Sequence, residues 1–181
     1  MSERSSDLWA QYARYNRLAN ETLYDACAGL SDDDYRRDLG AFFGSVQGTL
    51  NHLLVGDTIW MARFEGGTHP STDLDALLFE RFDALRVARR QMDRRIERFF
   101  AALPPGFANG SVRYVNNAGF DTEDPWPVIL PHFFNHQTHH RAQVHTLLSQ
   151  LGHAPPVLDL HRVLRPIPQV PVLDTSTGSA R

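Results

Sequence analysis

His136 and His140 stand four residues apart in the run His132-Phe-Phe-Asn-His136-Gln-Thr-His139-His140-Arg-Ala-Gln-Val. On an α-helix, positions i and i+4 share one face a turn apart, so two imidazoles can converge on a single ion. His132 lies a further turn back and His139 sits beside the same face, which makes a cluster of four histidines. For an arbitrary pair the plainer reading, surface residues or satisfied core polars, is the commoner one. Here Phe133, Phe134, Val144, Leu147 and Leu148 mark the same helix as heavily buried. An unpaired buried polar group costs about 1–3 kcal/mol, and a divalent cation would satisfy several imidazoles at once.

A catalytic zinc-type site takes three protein ligands and leaves a position for water or substrate. The third ligand must come from another helix, and His52 is the candidate because it falls in the middle of an expected long helix. His69 lies in a Gly-Thr-His-Pro loop, and His153 and His161 fall beyond the last long helix. His145 is about 140° round the helix from His140 and points elsewhere. The expected site is therefore one divalent ion on His52, His136 and His140. Two other metal motifs are excluded. A zincin needs a glutamate directly after its first histidine, where this chain has Gln137. A di-iron bundle needs Glu-x-x-His on two helices, and the last long helix has no glutamate.

Other residues carry two readings each. Asp57 could orient a ligand or an arginine, or be an exposed helix acid; Trp60 is core before it is pocket lining. Arg141 could bind an anionic substrate or simply be solvated, and Asn16 and Asn20 face a polar cavity or water. Cys27 reads as a small buried apolar residue with no base nearby in sequence. The 18 basic residues are all arginine, so lysine Schiff-base, lysine general-base and Walker-type phosphate chemistry are excluded. One cysteine excludes an intrachain disulfide and a multi-cysteine zinc site. A net charge of −3 gives no nucleic-acid footprint. There is no apolar run near the ~20 residues of a membrane span, nor the apolar core of a signal peptide. A cytoplasmic protein acting on a small molecule, without nucleic-acid or membrane partners, is expected.

The elements that must position these residues are four long amphipathic helices. The first is expected over about residues 7–28, capped by Ser5 or Ser6, stopped by a left-handed Gly29, and buried along Leu8, Tyr12, Tyr15, Ala19, Thr22 and Ala26. Ser31-Asp32-Asp33-Asp34 starts a short segment, its acids placed where a helix N-terminus favours them. The second long helix spans about residues 46–65, with Ser45 as cap and Gly66-Gly67 as stop. A third is expected over about residues 73–103, with Leu74, Leu78, Phe82, Leu85, Met92, Ile96, Phe99 and Leu103 as its core stripe and a solvated arginine face. Residues 107–127 lose the helical period and read as a loop or small hairpin. The last long helix covers about residues 128–151, ended by Gly152. From Pro155 the chain reads as an extended strap, with residues 175–181 disordered. The division is a single four-helix-bundle domain over residues 1–156 and a proline-rich tail over 157–181.

Three stretches carry a family resemblance: Tyr15-Asn16-Arg17-Leu18-Ala19-Asn20; Thr49-Leu50-Asn51-His52-Leu53-Leu54 followed by Asp57 and Trp60; and residues 133–144 around His136 and His140. Together they resemble the DinB-like (damage-inducible) superfamily of metal-dependent bundle proteins, with Leu18 where tryptophan is frequent and Ala142 where glycine is usual. The resemblance implies an all-α, up-up-down-down four-helix bundle, often a homodimer. It also implies a divalent ion, commonly zinc or nickel, on three histidines matching His52, His136 and His140. Some members are transferases or isomerases that use a low-molecular-weight thiol. The leading expectation is thus a metal-dependent thiol S-transferase; the alternatives are a metal-dependent hydrolase, with His139 as its base, and a non-catalytic metal-stabilised stress-response protein.

Overall fold

The computed structural model describes residues 2–67 and 73–167. His69 and the tail end expected to be disordered lie outside the described residues. Four long helices, α1 (Ser2–Cys27), α3 (Val46–Phe64), α4 (Phe82–Ala101) and α5 (Trp126–Gln150), form the body. Two short helices, α2 (Asp32–Arg36) and α6 (Leu160–Leu164), and a hairpin of β1 (Ser111–Val115) and β2 (Asp121–Pro125) complete it. The hairpin pairs antiparallel, Ser111 opposite Pro125 and Val115 opposite Asp121. The all-α bundle with a hairpin before the last helix is the architecture expected.

The helix directions follow from cross-helix pairs. Arg17 meets Glu97 and Asp25 meets Arg86, so α1 and α4 are antiparallel. Trp9 stacks on Phe134 while Asn20 meets Arg141, so α1 and α5 run the same way. Asp57 pairs with Arg89 and Phe64 with Phe99, so α3 and α4 are parallel. The order is up-down-down-up, which corrects the up-up-down-down order implied by resemblance. The reason lies in the connections. Residues 28–45 turn the chain back at one end of the bundle, and its one long crossover is the stretch between α3 and α4, as in ferritin-like bundles.

That crossover also corrects the start of the third long helix. Residues 74–81 are not helical, because side chains of α3 take their backbone groups. Phe79 N donates to Asn51 Oδ1, and Asn51 Nδ2 donates back to Phe79 O, at 2.9 and 3.0 Å. Gln47 Nε2 donates to Glu80 O at 2.8 Å. Leu74 and Leu78, expected in the core, are 39% and 46% exposed. The helix begins only at Phe82, where Leu85, Met92, Ile96 and Phe100 face inward.

Smaller corrections concern the first helix and the strap. α1 begins at Ser2, with Ser5 and Ser6 inside it, and Leu8 is 47% exposed. Its core face is Tyr15, Ala19, Leu23 and Cys27, together with the buried polar pair Asn16 and Asn20. Gly29 does not take a left-handed conformation, whereas Gly66 and Gly152 do, at φ 75° and 78°, just past α3 and α5. Ser45 caps α3 as expected, accepting from Gly48 N. Within the strap, Leu160–Leu164 wind into α6, and Tyr15 Oη donates to Leu158 O at 2.7 Å.

Candidate metal centre

Antiparallel packing of α3 on α5 sets His52 opposite His136 and His140. The Nε2 atom of His52 lies 3.1 Å from Nε2 of His136 and 3.1 Å from Nε2 of His140. The three form a group whose nitrogens could hold a metal ion. The expected triad is thus brought together, His52 and His140 buried and His136 half-buried.

The protons on these rings decide what the group can do. His52 Nδ1 is 2.9 Å from the carbonyl oxygen of Leu74, which only accepts, so Nδ1 carries the hydrogen and Nε2 is a bare lone pair. His140 Nδ1 is 2.7 Å from Gln143 Oε1, which leaves its Nε2 bare in the same way. Two bare lone pairs 3.1 Å apart repel. A hydrogen on His136 Nε2 could serve one of them, not both. A cation between the three nitrogens removes the conflict, and the donor set fits a divalent ion that accepts imidazole.

Electrostatics favour the same state. Burial, followed by the neighbouring imidazoles of His140 and His52, pushes His136 down to about 3. Burial pushes His140 down to about 4 against the opposing bond to Gln143, and lowers His52 against its bond to Leu74. All three rings are therefore neutral near neutral pH, the state in which an imidazole can bind a metal ion.

Packing holds the rings in place. Phe43 stacks on His52 with centroids 3.8 Å apart and planes at 18°, and meets His140 edge-on at 5.5 Å. At Gly56, one turn after His52, a Cβ would stand 2.8 Å from His136 Cε1, so the ring rests directly on the α3 backbone. His132 and His139 are exposed and flank the group. The His132 ring is 6.3 Å from His136 and packs edge-on against Trp60, while His139 lies 4.7 Å from His140.

Behind the histidines lies a buried polar network that corrects several sequence readings. Asp57 is fully buried; its Oδ2 accepts from Arg89 NH1 at 2.5 Å and its Oδ1 from Gln137 Nε2. Arg89, assigned to the solvated arginine face, is buried and also pairs with Asp93 at 2.9 Å. Asn20 Nδ2 donates to Asp93 Oδ1 at 2.9 Å, and Arg141 donates to Asn16 and Asn20. Burial pushes the Asp57 carboxyl up to about 6, with Arg89 opposing. Burial also works against the Arg89 charge, yet Asp93 and Asp57 together hold it above its ordinary value. Two acids and two arginines leave the network neutral.

Phe43, Gly56, Gln143 and the Leu74 carbonyl were not singled out from sequence. Gly56 had a signal, since glycine inside a long helix costs about 1 kcal/mol against alanine and invites a reason. Gln143, three residues after His140, had one too. Loop and crossover contacts such as Phe43 and Leu74 had none.

The fold and site define a four-helix bundle with a three-histidine group held between its second and fourth long helices. The family model described as the DinB family matches residues 1–169, and the chain belongs to that family. It is similar to Protein DinB of Bacillus subtilis (strain 168), 26% identical over 153 residues that cover 82% of this chain and 89% of that protein.

Proposed function

We propose that the protein is a metal-dependent enzyme of the thiol S-transferase type, with His52, His136 and His140 holding one divalent ion, zinc or nickel, and a low-molecular-weight thiol as cosubstrate. The observation that carries this reading is the meeting of three imidazole nitrogens, two of them bare, with no carboxylate or thiol joining them among the described residues. A closed fourth position would have favoured a purely structural ion. A divalent ion held by His52, His136 and His140 would supply Lewis acidity that favours the thiolate form of a thiol.

The chain's own residues orient and exclude. Leu74 and Gln143 fix the tautomers of His52 and His140, and Phe43 covers one face of the group. Gln137 is committed to Asp57 and offers no base, which weighs against hydrolysis. Cys27 is no competing nucleophile, because it is buried and burial pushes its thiol up to about 12. No helix among the described residues is long and apolar enough to cross a membrane. A cytoplasmic small-molecule enzyme, assembled as a homodimer, completes the proposal.

The test is elemental analysis of purified protein, then conjugation of a small thiol to an electrophile with and without chelator. About one ion per chain is expected, with activity dependent on both metal and thiol. His52→Ala should lower activity at least 100-fold while helical content survives, and Cys27→Ser should stay active. Full activity in metal-free protein would overturn the reading.

A further inference from the structure

A groove of about 440 Å³ lies between α1, α5 and the strap at residues 155–159. Its α5 wall, Thr138, Ala142 and His145, is on the far side of that helix from the metal centre, about 200° round from His136 to Thr138 and from His140 to Ala142. The volume is within the range of small-molecule sites, roughly 300–1,000 Å³.

Arg141 lines this groove and is 2% exposed. Its NH1 donates to Asn20 Oδ1 at 3.2 Å and to Asn16 Oδ1, and its NH2 to Thr138 Oγ1 at 3.3 Å. These acceptors are all neutral. Among the described residues no carboxylate forms an ion pair with Arg141, whereas Arg89, deeper in the same core, has Asp57 and Asp93. Its link to Asp93 runs through Asn20, so within a neutral network Arg141 still lacks a direct ionic partner. Much of the remaining lining is apolar, formed by Ala142 and by Pro155, Pro156 and Val157 of the strap, which the Tyr15–Leu158 bond ties to α1. Asp159, exposed at the same strap, puts one negative charge at the mouth and disfavours a ligand carrying a second.

We propose that this groove binds a small organic monocarboxylate, its head paired with Arg141 and its short aliphatic body lying against the strap. The site is separate from the metal centre and does not depend on the reaction proposed there. A planar guanidinium matches a carboxylate in geometry as well as charge.

The test is calorimetric titration of the metal-loaded protein with octanoate. Removing Arg141 also disturbs the Asn16–Asn20 network, so the informative variant is Ala142→Trp, which fills the groove from an exposed position. Saturable one-to-one binding is expected, weakened at least tenfold in Ala142→Trp while metal content and helicity are unchanged. Octan-1-ol and the dicarboxylate suberate should each bind at least tenfold more weakly, and chelation should leave octanoate binding in place. Absence of saturable binding would overturn the proposal, as would full affinity in Ala142→Trp. Equal affinity for octan-1-ol would show that Arg141 receives no counter-ion, and loss of binding on chelation would place the carboxylate on the ion instead.

Discussion

Gly56 and the two histidines of α5 show how much single atoms decide. A methyl group at position 56 would meet His136 Cε1 at 2.8 Å, so the imidazole must move. Alanine is otherwise favoured over glycine inside a helix by about 1 kcal/mol, so Gly56→Ala should leave the bundle at least as helical. Its metal affinity, measured by competition with a chromogenic chelator, should fall on the order of 10–100-fold, as when a ligand's supporting partner is changed. Proton competition acts at the same scale. His136 and His140 titrate at about 3 and about 4 in the fold, below the ~6.5 of a free imidazole. Their stabilising contribution is complete above pH ~6.5 and is lost as pH falls through those folded values. Asp57, raised to about 6, works in the opposite sense below that pH. Metal-free protein should therefore lose stability between pH ~6.5 and 4, read as the urea midpoint, and His136→Gln should flatten that dependence. An unchanged slope in the variant would show that His136 is not responsible.

Between elements, the junction of α3, α4 and α5 depends on one carboxylate. Asp57 reaches Arg89 on α4 and Gln137 on α5, and Gln137 follows His136 directly. Asp57→Ala leaves Arg89 with Asp93 alone and strips Gln137 of its acceptor. Breaking a buried pair from one side costs about 3–5 kcal/mol, so the variant should lose that much in chemical denaturation. A loss under about 1 kcal/mol would mean that Asp93 compensates fully. The 74–81 crossover shows the same logic in backbone form. Its carbonyls and amides are consumed by Gln47, Asn51 and His52, which is why an apolar stripe of helical period stays non-helical there.

For the whole molecule, a ligand that binds only the folded chain adds stability by mass action. At a hundredfold excess over its dissociation constant, an ion contributes about 2.7 kcal/mol. A domain of this size shifts by about 2–4 °C per kcal/mol. Chelation should accordingly lower Tm by about 5–10 °C without loss of helical circular dichroism, because the helices are held by an apolar core running from Leu23 through Leu50, Ile96 and Phe133 to Leu148. Collapse of helicity on chelation would instead make the ion a folding requirement.

Periodicity along the chain determined the four long helices, and the four-residue spacing of His136 and His140 determined that two imidazoles share a face, since both are local properties of an α-helix. Capping at Ser45 and stops at Gly66 and Gly152 were equally local. Packing alone decided the rest. Helix direction depends on connections whose course no local period encodes. The charge state of Asp57, Arg89 and Arg141 depends on burial that brings residues from α1, α3, α4 and α5 together. In the same way, His52 becomes a partner of His136 only when residues 84 apart are folded to within 3.1 Å, and its Nε2 is bare only because a distant crossover carbonyl takes the other nitrogen's proton.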